Sequence, residues 1–247
     1  MIQRSLLCCY EKKSSYHTFL DFQIQHQLNA APSRKNQTIS ITRVMRKIET
    51  KEFQACFMKW VQSVSKATLG DVVAIDGKTL RRSHNRQDGV PAIHMVSAWS
   101  SENGLVLGQE KTAEKSNEIT AIPQLLEVLE LKGCIITIHA MGCQTAIAVK
   151  IIQKKADYIE PNAKKTLTAV RQHWGIENKL HWTLDMTFRE DESRIRTEAS
   201  PENFAIMRHI ALNLIKNDTS RNASMKRKRF MAALEDDFRE TIIKQVI

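Results

Sequence analysis

The stretch D-V-V-A-I-D-G-K-T, residues 71–79, is the part of the sequence that decides the fold. Its apolar residues 72–75 form a short β-branched run, which predicts a buried strand. Asp76 is predicted to end that strand, and a carboxylate there is costly to bury unless a cation meets it. Two interpretations stay open: Asp76 is a metal ligand at a strand end, or it caps the turn that follows.

The composition favours a protein that binds a polyanion. The 247-residue chain has 37 Lys and Arg against 27 Asp and Glu, a formal net charge of +10. Nucleic acid is the commonest partner of so basic a chain, although a basic surface without such a partner stays open. No apolar run approaches the roughly 20 residues of a membrane span, so no membrane partner is expected.

The five cysteines predict a reducing compartment. They form no C-x-x-C pair and are too sparse for a disulfide framework. Cys134 and Cys143 lie in apolar surroundings and are expected to be reduced core thiols. These features predict a cytoplasmic protein.

Apolar spacing along the chain predicts an α/β architecture. Three strands, at 71–76, 92–99 and 105–109, look like an antiparallel meander. A polar, basic loop at 79–89 lies between the first two, and a turn at 100–104 joins the second to the third. Helices and strands then alternate, and this change predicts a mixed sheet with helices on its faces. Helices are predicted near 38–48, 50–61, 116–133, 146–154, 164–184, 200–215 and 230–243, with two further strands at 134–138 and 156–159.

Three residues are placed where phosphodiester chemistry would need them. Such chemistry commonly uses several carboxylates around divalent metals, because Mg²⁺ prefers hard oxygen ligands. Asp76 follows the first strand, and His139 holds the matching position after the fourth strand. Glu177 lies on the long predicted helix, within W-G-I-E-N-K-L-H-W.

Four stretches carry a resemblance to a known family. They are A-I-D-G-K-T-L-R (74–81), G-Q-E-K-T-A-E-K-S-N-E-I-T-A-I-P (108–123), A-M-G-C-Q (140–144) and H-W-G-I-E-N-K-L-H-W-T-L-D (173–185). From near Thr38 onward the chain resembles the DDE transposases of bacterial insertion sequences, in the branch of the H-repeat-associated proteins. The resemblance implies an RNase H-like core, metal-dependent cleavage and transfer of DNA strands, Mg²⁺ as cofactor, the insertion-sequence ends as partner, and a nucleoid-associated location.

The resemblance assigns roles and also shows two departures. It makes Asp76 and Glu177 catalytic metal ligands, whereas His139 stands where the family has its second catalytic Asp. The family also carries a long insertion between its fifth strand and the catalytic helix, and this chain has lost it. We therefore expect a transposase-family protein with little or no strand transfer, and its enzymatic status stays open. The alternative is a catalytically dead DNA-binding protein that interferes with an intact transposase by sharing its DNA or its oligomer.

These patterns divide the chain into four parts. Residues 1–37 are expected to be degenerate or disordered, and 38–68 form a small N-terminal helical unit. Residues 69–217 form the RNase H-like core without the insertion, and 218–247 form a basic helical tail.

Further side chains have two interpretations each. Basic residues near the site and in the tail are predicted to contact DNA phosphates, although a charge run in the tail also suits a solvated surface. Trp174 and Trp182 stack on bases or pack in the core. The predicted DNA-binding residues are Lys78, Arg81, Arg82, Arg86, Lys226, Arg227, Lys228 and Arg229.

Two further groups of side chains offer alternative metal ligands. His139, His181 and Cys143 suggest a zinc site. The alternative interpretation is that they are residues left over from an ancestral transposase and bind no metal. Asp185, Glu190 and Asp191 supply a substitute carboxylate, or they form salt bridges on a solvated surface. The partners expected for those bridges are Arg189, Arg194 and Arg196.

Overall fold

The computed structural model describes residues 34–65, 69–86, 88–112, 118–157 and 163–244, with side chains described from residue 41 onward apart from that of Met141. Most of the predicted N-terminal segment 1–37 therefore lies outside the described residues. Its last four residues belong to the first helix, which begins at Arg34 rather than near Thr38.

A four-stranded mixed sheet forms the centre of the described chain, in the order β3-β2-β1-β4. β1 (Val72–Thr79), β2 (His94–Ser100) and β3 (Leu105–Lys111) form an antiparallel meander, which confirms the predicted hairpins. β4 (Ile135–Ile138) lies parallel to β1 at the opposite edge. At the predicted fifth strand, Asp157 forms one parallel bridge with Ile135, and residues 158–162 lie outside the described part.

Helices cover the sheet and extend beyond it at both ends of the described chain. A π-turn, Ile176–His181, joins α5 to α6, and 3₁₀ turns occur at Ala140–Gly142 and Glu190–Glu192. The helices are α1 (Arg34–Lys47), α2 (Thr50–Val64), α3 (Glu118–Val128), α4 (Thr145–Gln153), α5 (Ala163–Gly175), α6 (Trp182–Met186), α7 (Ser200–Asn217), α8 (Met225–Leu234) and α9 (Asp236–Lys244).

The main hydrophobic core lies between the sheet and these helices. α3 packs on β2 and β3, α5 packs on β1 and β4, and α7 packs on β3 and α2. Val73 and Ile75 of β1 and Leu125 of α3 have no exposed surface. A central strand covered on both faces takes a near-continuous apolar run, which is what residues 72–75 supply.

Asp71 fixes the start of β1 to the turn between β2 and β3. Its buried carboxylate accepts hydrogen bonds from the Ser100 hydroxyl and, at 2.9 Å, from the backbone N–H of Glu102. Asp76 lies inside β1, opposite Ser97 of β2, because β1 continues to Thr79. The prediction that Asp76 ends the strand is therefore wrong, and the carboxylate that holds a turn is Asp71.

Two helical predictions need correction. The predicted helix 164–184 is a continuous helical run, Ala163 to Met186, but it contains the π-turn. The predicted tail helix is two helices, because Glu235 between α8 and α9 is extended, at φ −107° and ψ 110°. No Gly or Pro marks that break in the sequence. Within the part of the chain that the structure describes, no helix has the length and apolar composition needed to cross a bilayer.

Candidate metal centre

The sheet register opens a gap beside Asp76. The parallel pairing of β1 with β4 ends at Ile75 and Ile138, whereas β1 goes on pairing with β2 as far as Thr79. Asp76 is the first residue of β1 beyond the end of β4. Its side chain is 22% exposed, so the carboxylate is accessible at the floor of this gap.

The π-turn brings two further side chains to Asp76. The backbone N–H of Trp182 bonds to the carbonyl of Glu177, five residues earlier, which is the hydrogen bond that defines a π-helix. Ile176 and Leu180 of this turn are buried in the core, and the turn contacts β1. Such turns are rare and often occur at functional sites, because the wider turn shifts the direction of side chains.

Asp76, Glu177 and His181 form a compact cluster of ligand atoms. His181 Nδ1 lies 2.8 Å from Glu177 Oε2 and 3.8 Å from Asp76 Oδ2. One ligand atom from each residue lies within 4.8 Å of the others, and among the described residues this is the group of three that could hold a metal ion. The His181 side chain is 5% exposed and that of Glu177 is 56% exposed, so the cluster opens to solvent on the Glu177 side. Two carboxylates and one imidazole form a donor set that fits a divalent cation.

His139 lies beside this cluster without belonging to it. It is the first residue after β4 and precedes the 3₁₀ turn Ala140–Gly142, with an exposed side chain. In the parallel register it is therefore the residue that comes level with Asp76. The structure does not bring together the alternative zinc ligands His139, His181 and Cys143. Cys143 is exposed, so the prediction of a core thiol is wrong there and confirmed for the buried Cys134.

Other histidines and Glu118 surround the gap. A hydrogen bond with His94, at 2.9 Å, holds the pKa of Glu118 below its usual value, and His139 and His181 add smaller contributions. His173 hydrogen-bonds to Thr137 of β4, at 3.0 Å, and burial lowers the pKa of its imidazole. The absence of a side chain at Gly77 leaves room for the ends of the Glu118 and His94 side chains, which would have to shift if a Cβ were added.

Lys78 lies at the centre of a second charged cluster. Its ammonium is 2.8 Å from Asp185, 3.1 Å from Asp191 and 3.6 Å from Glu190. Burial pushes the pKa of Lys78 down, but the carboxylates outweigh burial and the pKa is raised. These acids were expected to bridge arginines on a solvated surface. That expectation is wrong, because Glu190 is buried and all three acids meet Lys78.

The predicted DNA-binding residues divide into exposed and internal ones. Lys78 is held by the acids, and the buried Lys228 pairs with Asp218 at 2.9 Å. Arg229 donates to the Thr187 carbonyl at 2.9 Å and lies over the Phe188 ring. The phosphate contacts predicted for Lys78 and Lys228 stay predictions. The exposed residues of the set are Arg81, Arg82, Arg86, Lys226, Arg227 and Arg229, of which Arg81 also pairs with Asp191 at 3.3 Å.

Trp174 and Trp182 face solvent on either side of the π-turn. They are 59% and 61% exposed, so the interpretation that they pack in the core is wrong. Both flank, in sequence, the turn that carries Glu177. Their exposure leaves base stacking as a prediction.

Sequence reasoning missed that His181 joins Asp76 and Glu177. The signal that could have found it is the spacing of Glu177 and His181, because residues four apart lie on one face of a helix. Ile176, Leu180 and Leu184 are buried with the same spacing, which is the ordinary apolar stripe of a helix and does not reveal the π-turn.

Comparison with known proteins identifies the family. Residues 67–214 match the family described as Transposase DDE domain. The H repeat-associated putative transposase YhhI of Escherichia coli K12 is 32% identical over 300 residues, covering 83% of this chain and 79% of the relative. The putative transposase YncI of Escherichia coli O157:H7 is 32% identical over 299 residues, with 83% and 77% coverage. The YncI of strain K12 is 50% identical over 149 residues, with 60% and 56% coverage.

No solved structure matches the chain. The family match covers more than half of the chain, and it includes β1, β4, the π-turn and most of α7. The mixed sheet flanked by helices is the RNase H-like arrangement of that family. The chain therefore belongs to the DDE transposases, in the branch of the H-repeat-associated proteins.

Proposed function

We propose that this chain is an insertion-sequence transposase whose reaction, metal-dependent cleavage and transfer of DNA strands, has been largely lost. The observation that carries the proposal is the residue level with Asp76 at the end of β4. The family resemblance implies a second catalytic Asp there, and this chain has His139. DNA at the ends of an insertion sequence is the proposed partner, in the cytoplasm and at the nucleoid.

Asp76 and Glu177 are the proposed catalytic residues and would hold Mg²⁺. Bound Mg²⁺ would activate the attacking oxygen and stabilise the leaving oxygen of the phosphodiester. Asp76 is fixed by the β1–β2 ladder, whereas Glu177 is more than half exposed on the π-turn. The donor set fits a divalent cation, but two carboxylates are few for a pair of Mg²⁺ ions.

His139 weakens such a site for an electrostatic reason. A carboxylate contributes a negative charge and two hard oxygen ligands, whereas a neutral imidazole contributes one nitrogen. Its side chain is also exposed and outside the ligand cluster. Loss of a catalytic carboxylate removes charge that would stabilise the reacting phosphate through the metal, so we expect little or no strand transfer.

An internal deletion is the second proposed cause. The alignment with YhhI is 300 positions long, but it includes only 83% of this 247-residue chain, which is about 205 residues. The relative therefore has about 95 residues within the matched span that this chain lacks. We place this loss between Asp157 and Ala163, where the family resemblance implies an insertion. Surface that would guide DNA toward Asp76 and Glu177 would be lost with it.

A second candidate function is interference with an intact transposase by a catalytically dead DNA-binding protein. The observation that favours it is the position of Arg81, Arg82 and Arg86, which are exposed and follow β1 just beyond the cluster. Basic side chains there would bind DNA phosphates whether or not a metal is held. A homo-oligomer or an intact transposase would then be the protein partner.

Incubation of the purified chain with its own element's ends tests the first proposal. We expect no nicking or joining with Mg²⁺ or Mn²⁺, and measurable nicking by the His139→Asp variant if the substitution is the main cause. Efficient strand transfer by the unmodified chain would refute the proposed loss of activity. Restoration by His139→Asp alone would show that the deletion is not a cause.

Gel-shift titrations at several salt concentrations test the second candidate. Affinity should fall as salt rises, and a combined Arg81→Ala and Arg82→Ala variant should have a shallower salt dependence. Absence of DNA binding at low salt would refute interference through shared DNA.

A further inference from the structure

His181 has two ring nitrogens in different environments, and the difference points to a role. Nδ1 faces the carboxylates of Glu177 and Asp76, at 2.8 and 3.8 Å. Nε2 points the other way and is buried, and no hydrogen-bond partner reaches it from the described residues. Such orphaned buried nitrogens are rare in native proteins and call for an explanation.

A small cavity lies behind His181. Its volume is about 10 Å³, and it lies between β1–β3 on one side and the π-turn and α7 on the other. A cavity of about this volume is the smallest that holds a single buried water. The polar residues that line it are Lys78, Ser97, Gln109, His181, Glu190 and His209.

Gln109 and His209 place further unpartnered atoms at this cavity. Within the described residues, neither Oε1 nor Nε2 of Gln109 has a hydrogen-bond partner, and the same holds for His209 Nδ1. Gln109 has no exposed surface and His209 is 3% exposed. Buried water commonly makes about three hydrogen bonds to groups of this kind, so one water would join His181 Nε2 to Gln109 and His209.

This arrangement suits both neutral tautomers of the His181 imidazole. With the proton on Nδ1, that nitrogen donates a hydrogen bond to Glu177, and Nε2 accepts one from the water in the cavity. With the proton on Nε2, the N–H donates a hydrogen bond to the water in the cavity. The lone pair of Nδ1 then faces Asp76 and Glu177. Gln109 supports both states, because its amide offers a donor and an acceptor. Metal-binding histidines almost always donate their other ring N–H to a carboxylate, a carbonyl or water.

We propose that His181 is the third ligand of the divalent-cation site, through Nδ1, and that Gln109 and His209 orient it through a buried water. The mixed nitrogen and oxygen site then prefers Mn²⁺ to Mg²⁺, because Mg²⁺ favours oxygen ligands alone. The inference rests on the proposed metal site at Asp76 and Glu177. It goes beyond that site by assigning a ligand outside the two carboxylates and a metal preference.

Mn²⁺ binding to the purified protein, without DNA, tests the inference. Electron paramagnetic resonance counts bound Mn²⁺, and electron spin-echo modulation detects a coordinated nitrogen. We expect nitrogen modulation in the unmodified chain, with Mg²⁺ competing weakly. Removal of a ligand in His181→Ala should abolish the modulation and weaken Mn²⁺ binding roughly 100-fold, and His209→Leu should keep the modulation but weaken binding about tenfold.

Two further variants keep the result interpretable. Because His181 is buried, thermal melting in EDTA has to show that His181→Ala is folded. Glu177→Gln changes an exposed ligand, and it should weaken Mn²⁺ binding while the nitrogen modulation stays. His139→Ala removes the neighbouring exposed histidine, and the nitrogen modulation should persist in that variant.

The outcomes separate this inference from the proposed function. Mn²⁺ bound through oxygen alone would refute the role of His181 and leave the proposed function intact. Nitrogen modulation that disappears in His139→Ala and persists in folded His181→Ala would also refute it. Failure of the unmodified chain to bind any divalent ion would overturn both the inference and the proposed cofactor, whereas the nicking assay tests the loss of activity by itself.

Discussion

Replacing Lys78 by methionine tests the charged cluster that joins β1 to the segment after the π-turn. Methionine keeps much of the length and apolar surface of the lysine stem but removes the ammonium. Asp185, Glu190 and Asp191 would then face one another without their shared cation, which lies 2.8 to 3.6 Å from them. Arg208, at 3.4 Å from Glu190, and Arg81, at 3.3 Å from Asp191, are the cations that remain.

The structure indicates a large effect. Removing one partner of a buried ion pair destabilises a protein by about 3–5 kcal/mol, because the other charge stays buried without compensation. Glu190 is 3% exposed and fits that case, whereas Asp185 and Asp191 are 31% and 24% exposed and keep some water. We therefore expect the lower end of the range, about 3 kcal/mol at pH 7.

Urea unfolding at pH 7 and pH 5 is the assay. Burial raises the pKa of Glu190, and Arg208 and Lys78 act against that rise. A raised carboxyl pKa means that stability returns as pH falls through the pKa of the folded state, since the buried group becomes neutral. Loss of Lys78 raises this pKa further, so the difference between variant and unmodified protein should shrink at pH 5.

The exposed Lys179 supplies the matched control. Lys179→Met should change the free energy of unfolding by less than about 0.5 kcal/mol at both pH values, as surface substitutions usually do. A Lys78→Met variant as stable as this control, but with weaker DNA binding, would refute the structural role. It would return Lys78 to the predicted phosphate contacts.

Two further predictions concern the core. Asn213 exchanges two hydrogen bonds of 2.9 Å with the backbone of Val106, so Asn213→Ala leaves a buried N–H and a buried carbonyl unpaired. Thermal melts should show a loss of about 2–4 kcal/mol, against almost none for the exposed Asn222→Ala, and equal melts would contradict this. Burial raises the pKa of the Cys134 thiol to about 11, so iodoacetamide at pH 8 should alkylate the exposed Cys143 and spare Cys134. Mass spectrometry of the peptides checks this, and comparable labelling of the two would refute it.

The sheet could be predicted from local pattern, because each strand is a short apolar run bounded by turn residues. Residues 72–75 and 134–138 are such runs, and only their pairing is non-local. Their adjacency followed from the order of hairpins and crossovers, which restricts parallel neighbours in a mixed sheet. The exact end of that pairing could not be predicted, because it depends on where β4 turns away at His139.

The site was predictable only in part. Asp76 and Glu177 were candidates from their positions in the predicted strand and helix, and the family resemblance gave them catalytic roles. The structure brings their carboxylates into one cluster. The charged segment 185–196 looked solvated, because a run of acids and arginines is usually a surface. Burial of Glu190 beneath Lys78 depends on tertiary contacts that the segment itself does not encode.

The π-turn makes the length of one segment more important than its composition. A π-turn amounts to one residue more than the same α-helix would hold. Deleting the exposed Asn178 would let an α-helix form while the residues after it keep nearly the same direction, because the turn takes up the extra residue. Leu184 would therefore stay in the core and Asp185 would stay beside Lys78. The change would be confined to the turn itself, where the wider spacing sets Glu177 and His181 beside Asp76. Among homologues of this chain that keep the metal centre, gaps should therefore be absent between positions 176 and 181, even where the exposed residues vary.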